Sequence, residues 1–388
     1  MNYNTISLKK GKEKFLHRKH PWIFSGAFKE LPQDFEEGSI VEVLDFKGNF
    51  QALGFFHRKS IAVNILSFEP VENVEDLIIQ KIKKALDYRY QTEVLKNNYT
   101  DCCRLVFGEG DNLPGLIIDK YADTAVIQIH LEGWIPYLQL IADTLMKEGH
   151  INHVFSKPAD KISVPHNMIG TLAGESSKTV ALEHGLKFNI DWEGGQKTGF
   201  FIDQRENRKR LTDFSKGKKV LNTFSYSGGF SIYALKAGAE LAVSVDISEA
   251  AVQLANENAE LNNVADRHKG IASDVFEHLK NDGDQYDVII LDPPAFAKNH
   301  RSVHNAVQGY KRLNLAAMKK IKEGGIIFTF SCSQHVGAQL FEDTLRAAAI
   351  ESGRNIKIMD RLTQPVDHPI NIYHPEGEYL KGFILHIS

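Results

Sequence analysis

The chain has 388 residues, 43% of them hydrophobic and 24% charged, with a formal net charge of −3. That length accommodates two or three domains and a sizeable core, and the slight acidity excludes a protein that coats nucleic acid through bulk positive charge. No apolar run reaches membrane-spanning length, the start Met1-Asn2-Tyr3-Asn4-Thr5 lacks the basic-then-apolar order of a signal peptide, and three cysteines cannot staple a disulfide framework, so a cytoplasmic protein with no membrane partner is expected.

Ser39 to Leu44, Phe50 to Phe56 and Ile61 to Leu66 read as short β segments. Turn signals such as Lys47-Gly48-Asn49 separate them and predict a small antiparallel barrel. Ahead of the barrel Lys9, Lys10, Lys12, Lys14, Arg18 and Lys19 face a single acid, Glu13, with Phe15 and Trp22 close by. Basic groups beside aromatics suit phosphate contacts and base stacking, so Lys9, Lys10, Lys12, Arg18 and Trp22 are candidate nucleic-acid contacts; the plainer alternative is a solvated loop. From Val74 to about Val94 the positions Leu77, Ile78, Ile82, Leu86 and Tyr90 recur at helical spacing. Strands follow at Cys103 to Phe107, Gly115 to Asp119 and Thr124 to Ile129, then a helix from about Ile135 to Glu148 and strands near His153 and Leu186, which describes a middle α+β domain. The vicinal pair Cys102 and Cys103 reads as strand packing.

From Lys219 the pattern alternates strand and helix: strands at Val220 to Ser225, Ala242 to Ile247, Gly270 to Ser273, Val288 to Leu291 and Gly325 to Ser331, with helices between them and another at Ala338 to Ala349. Such alternation specifies an α/β fold with a mostly parallel sheet. Strands near Ile356 and Phe383 are expected to form an antiparallel edge pair.

Ligands of open α/β sheets sit beyond the carboxyl ends of the strands, and here four such ends carry polar chemistry in order. The first gives Ser225-Tyr226-Ser227-Gly228-Gly229, where glycines let the backbone approach a ligand. The second gives Asp246, about twenty residues on, where a carboxylate can accept both hydroxyls of a ribose. The third gives Asp274, suited to an adenine amino group, although an acid at a strand end also commonly caps the next helix. The fourth gives Asp292-Pro293-Pro294. Because the pyrophosphate fingerprint of nicotinamide cofactors is absent, the adenosine cofactor that suits this layout is S-adenosylmethionine, with Ser227, Gly228, Asp246, Asp274 and Asp292 as its candidate ligands. The strand Ile326 to Ser331 ends in Cys332-Ser333, a thiol that can face Asp292 across one pocket and that points to covalent chemistry on a planar electrophilic ring. With no CxxC or HExxH spacing and sixteen scattered histidines, no metal site is expected.

The chain resembles the ribosomal RNA large-subunit methyltransferase I family of S-adenosylmethionine-dependent 5-methylcytosine enzymes. The resemblance is carried by His20-Pro21-Trp22-Ile23-Phe24-Ser25-Gly26, by Gly194-Gly195-Gln196-Lys197-Thr198-Gly199-Phe200-Phe201-Ile202-Asp203-Gln204-Arg205, by Asn222 to Gly229, by Asp292 to Phe296 and by Phe330-Ser331-Cys332-Ser333. It implies a PUA RNA-binding domain over residues 1–72, a middle α+β domain over 73–190 and a class I, Rossmann-like methyltransferase domain over 191–388. It further implies that Gln196 and Arg205 contact the cofactor, and that ribosomal RNA is the partner; a homodimer is left open. Cytosine C5 is a poor nucleophile, so Cys332 would add to C6 and Asp292 would hold the ring at N3, with the base extruded from its stack. Many RNA cytosine-C5 methyltransferases carry a second cysteine after the Asp-Pro motif, whereas Pro294-Ala295-Phe296 offers none, which leaves the acceptor of the C5 proton open. The competing readings are methylation of another base atom such as guanine N7, which needs no thiol, and a non-catalytic RNA-binding ribosome-assembly factor.

Overall fold

The computed structural model describes residues 3–96, 99–175, 179–283, 285–297 and 299–388. The chain divides into two compact units, the first made of Met1–Ala181, Ile190–Phe200 and Val366–Gly377, the second of Leu182–Asn189, Phe201–Pro365 and Glu378–Ser388.

The first unit contains two five-stranded sheets. Strands β1 (Asn4–Ser7), β2 (Trp22–Phe24), β3 (Ile40–Leu44), β4 (Phe50–Phe56) and β5 (Ile61–Ser67) pair in the order β1-β3-β4-β5-β2, with β1 parallel to β3 and the other pairs antiparallel. Alternation places Val41 and Val43 in its core beside Ala52, Phe56 and Val63. At Gly54 a Cβ would lie 2.3 Å from the Asn64 carbonyl oxygen, so only glycine permits the close crossing of β4 and β5.

Helix α1 (Val74–Gln91) follows, opened by Asn73, whose side chain accepts the Glu75 N–H at 2.9 Å. The second sheet is built from β6 (Cys102–Phe107), β7 (Leu116–Tyr121), β8 (Thr124–Ile129), β9 (His153–Ser156) and β10 (Gly170–Gly174) in the order β10-β9-β8-β7-β6, with α2 (Leu138–Glu148) between β8 and β9 in the chain. Ile78, Ile82 and Leu86 of α1 and Leu138, Ile141 and Leu145 of α2 join Ile118, Ile127 and Val154 in one buried cluster. Strand β10 carries no apolar run, because as an edge strand it is only half-buried; no strand is expected there from sequence.

Short strands β11 (Val180–Glu183) and β12 (Leu186–Asn189) precede helix α3 (Arg205–Leu211). The second unit then runs β13 (Lys219–Thr223), α4 (Gly229–Lys236), β14 (Leu241–Asp246), α5 (Glu249–Leu261), β15 (His268–Ala272), α6 (Val275–Asn281), β16 (Val288–Leu291), α7 (Val303–Lys320), β17 (Gly325–Ser331), α8 (Ala338–Ser352), β18 (Ile356–Leu362) and β19 (Lys381–Ile387). Its seven-stranded sheet has the order β15-β14-β13-β16-β17-β19-β18, so the strand order reverses at β13 and β16, whose carboxyl ends flank the crevice where ligands of such sheets sit. All pairs from β15 to β17 are parallel. The two closing strands form the expected antiparallel pair at one edge of the sheet. Strand β19 is inserted antiparallel between β17 and β18, in register from Gly325 with Ile387 to Ser331 with Lys381, and only β18 is an edge. The burial explains the order: Phe383, Ile384 and Leu385 are buried, whereas β18 is largely exposed.

Candidate active site

Between β13 and α4 the backbone takes left-handed turns at Phe224, Tyr226 and Gly228, with φ of 53°, 43° and 73°. At Gly228 a Cβ would also stand 2.8 Å from the Ala255 Cβ on α5, so the bend needs glycine for its φ and for its contact. Asp246, half-buried at the end of β14, fixes this loop: Oδ2 accepts the Tyr226 N–H at 3.0 Å and Oδ1 accepts the Ser248 N–H at 3.0 Å. An ionised carboxylate has about four acceptor sites, so it retains capacity for a pair of ribose hydroxyls. Ser225 places a buried Oγ at the base of the loop without a hydrogen-bond partner among the described residues, which is the condition a polar ligand relieves. Phe201 meets Tyr226 edge-on, 5.3 Å between centroids, and adds an aromatic wall that residue types alone did not single out. These groups fit an adenosyl ligand. Asp274 is exposed and caps α6, its Oδ1 accepting the Phe276 and Glu277 N–H groups at 2.9 and 3.1 Å, so capping is its visible work; Oδ2 takes no part in the cap.

Beyond β16 and β17 the predicted acid and thiol converge. Leu291 pairs with Thr329 in adjacent parallel strands, which brings the Asp292-Pro293-Pro294 turn beside Cys332. Cys332 Sγ lies 3.8 Å from the Pro293 carbonyl oxygen and is half-buried, as is Asp292. Ser333 ties the turn to the strand end: its Oγ accepts the Ala297 N–H at 3.2 Å and meets the Tyr310 hydroxyl at 3.1 Å. Phe296 packs on Tyr310 with centroids 4.6 Å apart, over Gly309, where a Cβ would press on the Phe296 ring. Burial raises the Tyr310 pKa, so its phenol stays protonated. Sequence reasoning missed Lys381, the first residue of β19. It is buried, and its Nζ donates to the Ser333 carbonyl at 2.7 Å and to the Tyr379 carbonyl at 2.8 Å.

Arg205 is buried at the start of α3, its Nε 3.0 Å from Glu206 Oε1, while Gln196 is exposed in the first unit and its carbonyl accepts the Gly199 N–H at 2.9 Å. The amino-terminal basic residues surround exposed rings. Lys12 and Arg18 approach the Phe15 ring at 5.1 and 5.7 Å, and Lys10 approaches Phe46 at 5.8 Å. Lys9 is partly spent on the Gly26 carbonyl at 3.1 Å, and Trp22 is half-buried with its indole N–H donated to Glu109 at 2.8 Å. Phe15 and Phe24, each about half exposed, are the better stacking surfaces here. Nearby, His20, His374 and Glu376 bring ligand-type atoms within 4.8 Å of one another, and the His20 Nε2–Glu376 Oε2 contact of 3.3 Å uses two of them on each other. Among the described residues no helix is long and apolar enough to cross a membrane.

A sheet of this order, with a glycine loop, an acid and an Asp-Pro-Pro turn at its carboxyl ends, is that of an S-adenosylmethionine-dependent methyltransferase, and the pattern of that family matches residues 160–375. The pattern of PUA-like domains matches residues 6–68. The chain belongs to the ribosomal RNA large subunit methyltransferase I family: it is 38% identical over 391 residues to the enzyme of that name from Aeromonas salmonicida, covering 98% of both chains, and 36% identical to the one from Vibrio cholerae, covering 97% of this chain and 98% of the relative. The Escherichia coli O127:H6 relative of the same name is 35% identical over 97% of this chain and 98% of its own. A solved structure described as a putative S-adenosylmethionine-dependent methyltransferase from Streptococcus mutans shares the fold, with a TM-score of 0.85, 22% identity, and coverage of 99% of this chain and all of the other.

Proposed function

We propose that this S-adenosylmethionine-dependent methyltransferase forms 5-methylcytosine in large-subunit ribosomal RNA through a covalent bond between Cys332 and cytosine C6. The observation that carries the reading is the placement of the Cys332 thiol 3.8 Å from the Pro293 carbonyl, beside the Asp292 turn, at neighbouring strand ends of the methyltransferase sheet. S-adenosylmethionine supplies an electrophilic methyl group. The Cys332 thiolate adds to C6 and makes C5 enamine-like; C5 would then take the methyl as its bond to the sulfonium breaks and the neutral thioether S-adenosylhomocysteine leaves, and a base would remove the C5 proton as the C6–S bond breaks and its electron pair returns to the thiolate. Asp292 holds the N3 edge, where charge develops during thiolate attack, and the two prolines stiffen the turn that aims it. Ser227, Gly228, Asp246 and Asp274 are the proposed cofactor contacts in the second unit, joined by Gln196 and Arg205 from the motif that precedes the sheet.

The working division is a PUA-like RNA-binding domain over 1–72, a middle domain over 73–190 and the methyltransferase domain over 191–388, in a cytoplasmic protein. Lys9, Lys10, Lys12, Arg18 and Trp22 form the proposed RNA surface. The decisive experiment uses RNA with 5-fluorocytosine at the target, where the fluorine cannot leave as a proton does. A denaturation-resistant adduct is expected with wild-type protein and none with Cys332→Ala. Turnover of ordinary RNA without any trapped adduct would sink the covalent cytosine mechanism in favour of a ring-nitrogen target.

A further inference from the structure

A buried ammonium is costly unless something compensates its charge, because it leaves water for a medium of low polarity. Lys381 is 5% exposed, and among the described residues it makes no ion pair with a carboxylate; its two hydrogen bonds go to neutral carbonyls. One of those carbonyls belongs to Ser333, the residue after Cys332, and the cross-strand partner of Lys381 is Ser331, the residue before it. The ammonium therefore sits against the short segment that bears the thiol. Burial draws its pKa down to about 8, and the charge of Cys332 opposes that fall more strongly than Glu378 does. By linkage, whatever the thiolate does for the ammonium, the ammonium does for the thiolate.

We propose that Lys381 is a positioning residue that keeps Cys332 ionised for attack and, through the Ser333 carbonyl, holds the strand end that aims it. The proposal rests on the reading of Cys332 as the nucleophile. It assigns Lys381 no contact with the base. It also gives a reason for a charged residue at the head of a strand whose next four residues, Gly382 to Leu385, are buried and apolar. A thiolate beside a cation ionises at lower pH than an isolated thiol, which raises the attacking fraction near neutrality.

The test is the rate of Cys332 alkylation by iodoacetamide in the full-length protein, followed by mass spectrometry across about pH 5 to 10, a range that brackets the ordinary thiol and lysine values. The other ionisable groups around the thiol, Asp292 on the β16 turn, Tyr310 of α7, His335 beyond Cys332 and Glu378 ahead of β19, are the same in every protein compared. Lys381→Met is expected to move the alkylation midpoint up by about one pH unit, the low end of what an adjacent opposite charge does, and to slow alkylation about tenfold at neutral pH. kcat should fall with little change in KM for RNA, and Lys381→Arg should recover part of both. An unshifted midpoint in a Lys381→Met protein that still binds S-adenosylmethionine normally overturns the proposal. If that variant does not fold, the reciprocal measurement uses Cys332→Ser: the Lys381 amine, followed by nitrogen NMR, should titrate lower than in wild type, and an identical titration is equally fatal. Full turnover by Cys332→Ser would instead remove the covalent reading while leaving the alkylation comparison to stand or fall separately.

Discussion

At the scale of single residues, Asp246 serves two masters. Its oxygens already hold the Tyr226 and Ser248 N–H groups, so the carboxylate that shapes the glycine loop is the one proposed above for the ribose. Asp246→Asn keeps the size but replaces an acceptor oxygen with a donor. The expected result is S-adenosylmethionine binding weaker by about tenfold to a hundredfold, the equivalent of about 1.5–3 kcal/mol for hydrogen bonds to a charged group, measured by calorimetry. His268 presents a different single-residue effect. Burial lowers its pKa from the ordinary 6.5 to about 4, and its Nε2 lies 2.8 Å from Ser244 Oγ on β14. The folded protein thus leaves this imidazole neutral where the unfolded chain would protonate it, so the contribution of His268 is full above pH 6.5 and is lost as the pH falls towards 4. Urea midpoints should drop through that window, and His268→Gln should flatten the drop; equal slopes for the two proteins would contradict it.

At the scale of elements, the junction of β13, α4 and α5 depends on Gly228. Gly228→Ala forces a side chain into a left-handed conformation and against Ala255, and is expected to cost about 1–3 kcal/mol in urea unfolding, with cofactor affinity falling as the loop shifts. The parallel strands were legible because strands covered on both faces leave unbroken apolar runs, as Ile289-Ile290-Leu291 does. The strand ends were legible for the same reason: chemistry interrupts the run. What sequence reading could not reach was set by partners far along the chain. The insertion of β19 rests on pairings such as Gly325 with Ile387. Lys381 before Gly382-Phe383 reads as a solvated strand end until β17 and the Ser333 carbonyl are placed around it. Trp22 reads as a free stacking platform until Glu109 takes its indole N–H. Asp274 was ambiguous between ligand and cap, and the cap became visible once α6 was in place.

At the scale of the whole molecule, the net charge of −3 means that attraction for RNA has to come from a local field. Lys10, Lys12 and Arg18 next to Phe46 and Phe15 concentrate positive charge and exposed aromatic surface in the first unit. Replacing these three by glutamine should make the dependence of log binding constant on log salt shallower by about 2, since each lost phosphate contact releases fewer counterions. Calorimetry with S-adenosylmethionine should be unchanged. An unaltered salt slope would take the patch off the RNA surface.

The position of β19 also bears on how the protein is made. In synthesis, β17 emerges well ahead of the strand that covers its free side, and in the interval the row of N–H and C=O groups from Gly325 to Ser331 is an open template. Strand β18 emerges first and could occupy that place, but its largely exposed side chains make it a poor substitute for Phe383, Ile384 and Leu385. A nascent chain halted ahead of Lys381 therefore carries a sticky, unfinished sheet, and the last strand both closes that edge and delivers the cation beside the thiol.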